Sequence, residues 1–184
     1  MIALYIIIAV AVVIALWIAG VFNSLVRKKN RAKEAWSDID VQLKRRYNLI
    51  PNLVNTVKGY ATHEKELFEN VAKARSIAMG AQGVEQKAQA ENMLTGALKT
   101  LFAVSENYPQ LKASANFVEL QRELRDTEDK VQASRRFYNT NVRDLAIKIE
   151  SFPSNIVAKL FNFKKMGLFE IEDAAARANP EVKF

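Results

Sequence analysis

His63 is the only histidine in the chain, and His63-Glu64 begins like the helix motif in which two histidines four residues apart hold zinc. The second ligand would fall at position 67, which is Leu67, so the motif stops half-formed. A di-metal carboxylate bundle needs Glu-x-x-His pairs, and the sequence has none. Cysteine is absent, which excludes thiolate-bound zinc, iron–sulfur clusters, disulfides and thiol nucleophiles. No nucleophile elbow accompanies His63 and no glycine-rich phosphate loop occurs. These readings predict no catalytic residue, no metal and no cofactor, and they give His63 an exposed or capping role.

Two polar-aromatic clusters stand out instead. Lys44, Arg45, Arg46, Tyr47 and Asn48 lead through Pro51 to Asn52, Asn55 and Lys58. Arg135, Arg136, Tyr138, Asn139, Asn141 and Arg143 form the second. Either reads as a solvated face or as a partner-docking surface, because Arg and Tyr are enriched at interface hot spots. The candidate partner surface taken from them is Arg45, Arg46, Tyr47, Asn52, Asn55, Arg135, Arg136, Tyr138 and Asn139.

The elements that must carry these clusters begin with a membrane anchor. Ile2 to Phe22 has no charge and no side-chain amide, and 13 of its 21 residues are Ile, Leu, Val or Phe. As a helix it is roughly 31 Å long, the thickness of a hydrocarbon core. Its insertion is favoured by about 4–8 kcal/mol. A cleaved signal peptide would have a positive region before a shorter apolar core; here the positive charges follow. A pilin-like stem would carry an early glutamate, where this chain has Tyr5. Ala11, Ala15 and Ala19, spaced four apart, offer a face on which two such helices approach closely.

The net charge of +7 is uneven: residues 27–46 hold eight Lys or Arg against three acids, a net of +5. Arg27, Lys28, Lys29, Arg31 and Lys33 directly follow the apolar run. They read as a collar for anionic lipid rather than a nucleic-acid surface, since no reader motif is present. By the positive-inside rule the N-terminus lies outside and the following domain in the cytoplasm.

Beyond the anchor, apolar residues recur with helical spacing. The first stripe is Ala32, Trp36, Ile39, Leu43 and Ile50, with Pro51 predicted to kink or end its helix. Leu53, Val57, Tyr60, Leu67, Val71, Ala74 and Ala78 follow, closed by Gly80 and Gly83. Leu94, Leu98, Leu101 and Tyr108 make a third stripe, stopped by Pro109. Asn116 and Glu119 are placed to form a capping box for the last and longest helix. That helix carries Phe117, Leu120, Leu124, Val131, Tyr138, Leu145 and Ile149, runs to Pro153 and has a length of roughly 36 residues. The predicted fold is all-α: an N-terminal transmembrane helix (1–26), then an elongated, mostly antiparallel four-helix bundle (27–153). Residues 154–184 follow as a short amphipathic helix, Ser154 to Phe163, and a loosely held tail from 167. The short helix either caps the bundle end or lies on the membrane.

Five stretches resemble the LemA family: AWSDIDVQLKRRYNLIPNLVNTVKGYATHE (35–64), LFAVSENYPQLK (101–112), RRFYN (135–139), ESFPSNIVAKLF (150–161) and PEVKF (180–184). They follow the family's order, and the match they mark out extends over nearly the whole chain; Ala146 stands where the family usually has Asn. The resemblance implies a bacterial membrane protein with a short outer N-terminus and a four-helix bundle, and brings no catalytic residues. The resulting expectation is a non-enzymatic scaffold that self-assembles, as a homo-oligomer, or docks a membrane-protein partner at the cytoplasmic face of the inner membrane. The alternatives are an adaptor or sensor for a membrane protease or transport system, and a membrane-remodelling protein. Membrane lipids are expected partners in each case, and nucleic acid in none.

Overall fold

The computed structural model describes residues 1–170, which hold helices and no strand. In order these are α1 (Ile2–Lys58), α2 (Lys65–Gly80), α3 (Gly83–Ser105), α4 (Pro109–Lys112), α5 (Ala115–Glu150) and α6 (Ser154–Leu160). They divide into two compact units. One holds Met1–Ile39 and Ser134–Leu168; the other holds Asp40–Ala133 together with Phe169. The all-α expectation is met, and one long apolar helix stands at the N-terminus.

The expected anchor and first bundle helix are one continuous helix. Between Phe22 and Pro51 the sequence has neither Gly nor Pro, so nothing interrupts propagation. Leu25, Ala32, Ala35, Ile39, Leu43 and Ile50 are all buried along one stripe of α1. Pro51 does not end the helix, which continues to Lys58. Proline has no N–H, so the carbonyl of Tyr47 loses its helical partner. Arg75 on α2 supplies the replacement: its Nε donates to the Tyr47 carbonyl at 2.7 Å. The expected second helix therefore begins later than its stripe, with Leu53 and Val57 in α1, residues 59–64 in the turn and Val71, Ala74 and Ala78 buried in α2.

Two residues, Ala81 and Gln82, join α2 to α3. Gly83 opens α3 at φ +75°, a left-handed conformation that a side chain would strain by roughly 1–2 kcal/mol. Leu94, Leu98 and Leu101 face inward from α3, and Pro109 stands at the start of α4. The capping box is not where the spacing put it: α5 begins at Ala115, so Asn116 is already inside the helix. Glu119 instead accepts from Arg122 at 2.6 Å. α5 buries Phe117, Leu124, Val131, Tyr138 and Leu145 of the expected stripe, with Thr127 and Val142 added, while Leu120 and Ile149 are half-buried.

In the unit formed by Met1–Ile39 and Ser134–Leu168, α1 and α5 run antiparallel. Trp36 stacks near Tyr138 with ring centroids 5.4 Å apart, and Lys28 pairs with Asp144 at 3.2 Å. Val21 and Leu25 share a core cluster with Leu145, Val157 and Ala158. The chain leaves α6 through Asn162 at φ 55°, with the Phe163 N–H bonded to the Ala158 carbonyl at 2.9 Å. This helix-terminating turn, with asparagine in the left-handed position, swings the chain back toward α1. The predicted tail is better held than its composition implied: the Tyr138 hydroxyl donates to the Gly167 carbonyl at 2.8 Å, and Phe169 is fully buried. The remainder of that tail, from 171, lies outside the described residues.

Candidate functional site

Among the described residues nothing buries the apolar start of α1: an 18-residue apolar window is 0% buried. Full burial starts near the end of the apolar run, at Val21. Phe22, the last residue of the apolar run, lies edge-on to Phe161 (4.8 Å between centroids) and Phe163 (5.7 Å). These rings bring α6 and the turn beyond it against the exit of the anchor helix. A groove of about 280 Å³ lies alongside, walled by Trp17 and Val21 of α1, Lys28, Lys148 and Phe152. Lys28 is half-buried in its pair with Asp144, and Lys29 sits 5.9 Å above the Phe163 ring. Arg27, Arg31 and Lys33 are exposed.

A second polar constellation lies in the unit holding Asp40–Ala133, where side chains of α1, α3 and α5 meet a carbonyl of α2. Glu91 is completely buried on α3. Its carboxylate accepts from the Tyr47 hydroxyl and from Arg46 Nη1, the latter at 3.1 Å. Arg46 Nη2 also reaches Thr95 Oγ1 at 3.0 Å and Glu128 Oε2 at 3.1 Å. Lys87 donates to the Ala78 carbonyl at 3.0 Å while lying 5.7 Å from the Tyr47 ring centroid. Burial pushes the Glu91 carboxyl above its ordinary value, against the pull of Tyr47, Arg46 and Lys87. Burial and the neighbouring carboxylate push the Tyr47 phenol far up, so it remains a donor. Each charge here has its complement inside the network. Such a closed network fixes helix register and offers no open coordination or reaction position.

Among the described residues no three His, Asp or Glu side chains come together as a cation site.

The LemA family model matches residues 35–184 of this sequence. The chain belongs to the LemA family. Relatives include the protein LemA of Metamycoplasma hominis, 29% identical over 82% of this chain and 69% of that protein. The magnetosome protein MamQ of Magnetospirillum gryphiswaldense is 24% identical over 83% of this chain and 66% of its own length. MamQ 1 of Paramagnetospirillum magneticum matches to the same extent. About a third of each relative therefore lies outside the match. Neither the family's name nor a relative's is that of an enzyme. The family and the apolar α1 together describe a membrane-associated protein.

In this LemA-family chain the sequence-predicted site residues separate into two kinds. Ala11, Ala15 and Ala19 are exposed along the apolar part of α1, as a self-association face requires. Of the collar, Arg27, Lys29, Arg31 and Lys33 are exposed and Lys28 is engaged by Asp144. The candidate partner surface needs correcting. Arg46, Tyr47 and Tyr138 are interior, because each falls on the buried stripe of its helix, so they cannot dock a partner. Arg45, Asn52, Asn55 and Arg136 remain exposed, Arg135 and Asn139 half-buried. Arg45 spans toward Glu123 and Asp126 at 3.9 and 3.7 Å. Sequence reasoning missed Arg75, Lys87, Glu91 and Glu128. A signal existed for two of them: counting back from Leu94 in steps of three and four reaches Glu91 and Lys87, which puts both on the inward face of α3.

Proposed function

We propose that this LemA-family protein is a membrane-anchored helical scaffold that gathers copies of itself, or a membrane-protein partner, at the cytoplasmic face of a bacterial membrane. One observation carries the reading. Among the described residues nothing buries the apolar window of α1, yet the helix continues unbroken into packed structure. About 30 Å of aliphatic helix left in water is unfavourable, so a bilayer takes it, and the packed helices are held at that surface. The cations at 27–33 favour the side of the membrane on which those helices lie. The closed Arg46–Glu91–Tyr47 network supports a structural rather than chemical role for the interior polar groups.

Orientation is tested by protease added outside intact cells, where the C-terminal helices should survive; their digestion would reverse the topology. Assembly is tested by size measurement in mild detergent and in lipid. The exposed Ala11, Ala15 and Ala19 face should support oligomers that Ala15→Leu weakens at least several-fold. A strict monomer in both media would remove the scaffold reading.

A further inference from the structure

We propose that this protein touches the membrane twice: beside the α1 span, the α5–α6 elbow and the outer face of α6 lie in the anionic headgroup region of the leaflet where the span ends. This deepens the anchored reading above and rests on it. The first support is the composition of α6. Its inner face, Ser154, Val157 and Ala158, is buried, with Val157 and Ala158 in the cluster that holds Val21 and Leu25 of α1. Its outer face carries Ile156 and Leu160, exposed one turn apart, alongside Asn155 and Lys159. Large apolar side chains beside a lysine on the outer face of an already packed helix suit a boundary between apolar and polar surroundings. Phe152, at the elbow, is 81% exposed and Leu160 is 70% exposed, and Phe161 adds to the same surface. Large exposed apolar clusters of this kind mark contact surfaces.

The second support is depth. Phe152 lines the same groove as Trp17, while Phe161 meets Phe22. Trp17 precedes Phe22 by five residues, which is about 7.5 Å along a helix. If residues 2–22 span the hydrocarbon, the elbow reaches from the span's edge to roughly that depth. Interfacial helices bury their apolar faces by about 5–10 Å, so the two depths agree.

The third support is charge. Lys148, Lys159 and Lys164 surround the elbow and make no ion pair among the described residues, whereas Lys165 is engaged by Glu150 and Lys28 by Asp144. Cations left over around an apolar tip fit an anionic lipid surface, not a second apolar protein face.

The absence of cysteine makes the test direct. Single-cysteine variants F152C, L160C, F137C and V10C of the full chain are labelled with a small fluorophore and placed in nanodiscs of mixed phosphatidylcholine and phosphatidylglycerol. Quenching by lipids carrying a nitroxide just below the headgroup is then read. Probes at 152 and 160 should be quenched several-fold more than the probe at exposed Phe137, about 20 Å back along α5 from its end at Glu150. Charge reversal at Lys148, Lys159 and Lys164 should reduce that quenching. If 152 and 160 quench no more than 137 while the probe at 10 is quenched, the elbow proposal fails and the anchor stands. If the probe at 10 is unquenched as well, both readings fail. Energy transfer between copies labelled at 152, without lipid quenching, would assign the elbow to a second copy and overturn the proposal.

Discussion

Glu91 shows how one buried charge both endangers and organises this fold. Its ionised form loses more to burial than Tyr47, Arg46 and Lys87 return, which is why its pKa lies above the ordinary 4.5. The folded chain thus holds that proton more tightly than the unfolded chain does. Stability attributable to Glu91 must fall as pH rises from 4.5 through the raised value, and stay flat above it. Melting temperatures of the full-length protein in detergent across this range should show the decline, and Glu91→Gln should abolish it. Asp126 has the opposite sign: the Lys130 hydrogen bond lowers its pKa, so its contribution disappears as pH drops below 3.8. Removing the carboxylate alone, Glu91→Ala, strands Arg46 with only Glu128 and Thr95 and should cost about 3 kcal/mol. The paired replacement Arg46→Met with Glu91→Leu should cost less than either single change; a double variant as unstable as the sum of the two would contradict this account of the node. The node was half visible beforehand. Arg46 and Tyr47 stand out in the sequence as polar residues, and polarity alone suggests exposure; only the helical register, carried through Ile39, Leu43 and Ile50 on α1, shows that they point inward.

At the scale of elements, α5 and α1 mark where local pattern suffices and where it fails. α5 runs over Ala115–Glu150 because a single stripe from Phe117 to Leu145 continues without Gly or Pro. Nothing beyond the sequence of that segment is needed. Pro51 is different. Taken locally it ends a helix, because a carbonyl four residues back is orphaned. In the folded chain that carbonyl belongs to Tyr47 and is capped by Arg75, 28 residues further on, which no short-range pattern reveals. The two features should be coupled. Arg75→Ala should destabilise the protein by about 1.5–3 kcal/mol, the range for a charged donor to a buried acceptor. With Pro51→Ala already present, an N–H at position 51 can bond Tyr47 again, and the same Arg75 change should cost less by about 1 kcal/mol. Urea unfolding of the four variants closes the cycle. Equal costs of Arg75→Ala in the two backgrounds would mean that the arginine serves something other than the interrupted helix.

For the whole molecule, the question is how attachment divides between apolar insertion and charge. Residues 2–17 are unburied but for part of Trp17, whereas Ile18, Val21, Phe22 and Leu25 belong to a packed cluster. A variant lacking 2–17 should therefore keep its helical circular dichroism and nearly its full melting temperature. It gives up most of the roughly 4–8 kcal/mol that drives insertion. What remains includes Arg27, Lys29, Arg31 and Lys33, each exposed and contributing about 1 kcal/mol at an anionic surface. Screening shortens the reach of those charges from about 10 Å at 0.1 M salt to about 3 Å at 1 M. Sedimentation with vesicles separates the two contributions. The full chain should stay with the lipid at 1 M NaCl. The shortened chain should bind anionic vesicles at low salt, ignore neutral ones, and leave at 1 M. Because Phe152 and Leu160 would add an apolar hold of their own, the shortened chain with both changed to Ser isolates the cations and should release at lower salt still. Salt-resistant binding by this last variant would locate the membrane attachment elsewhere in the chain. Release of the full chain by salt alone would show that α1 does not enter the hydrocarbon.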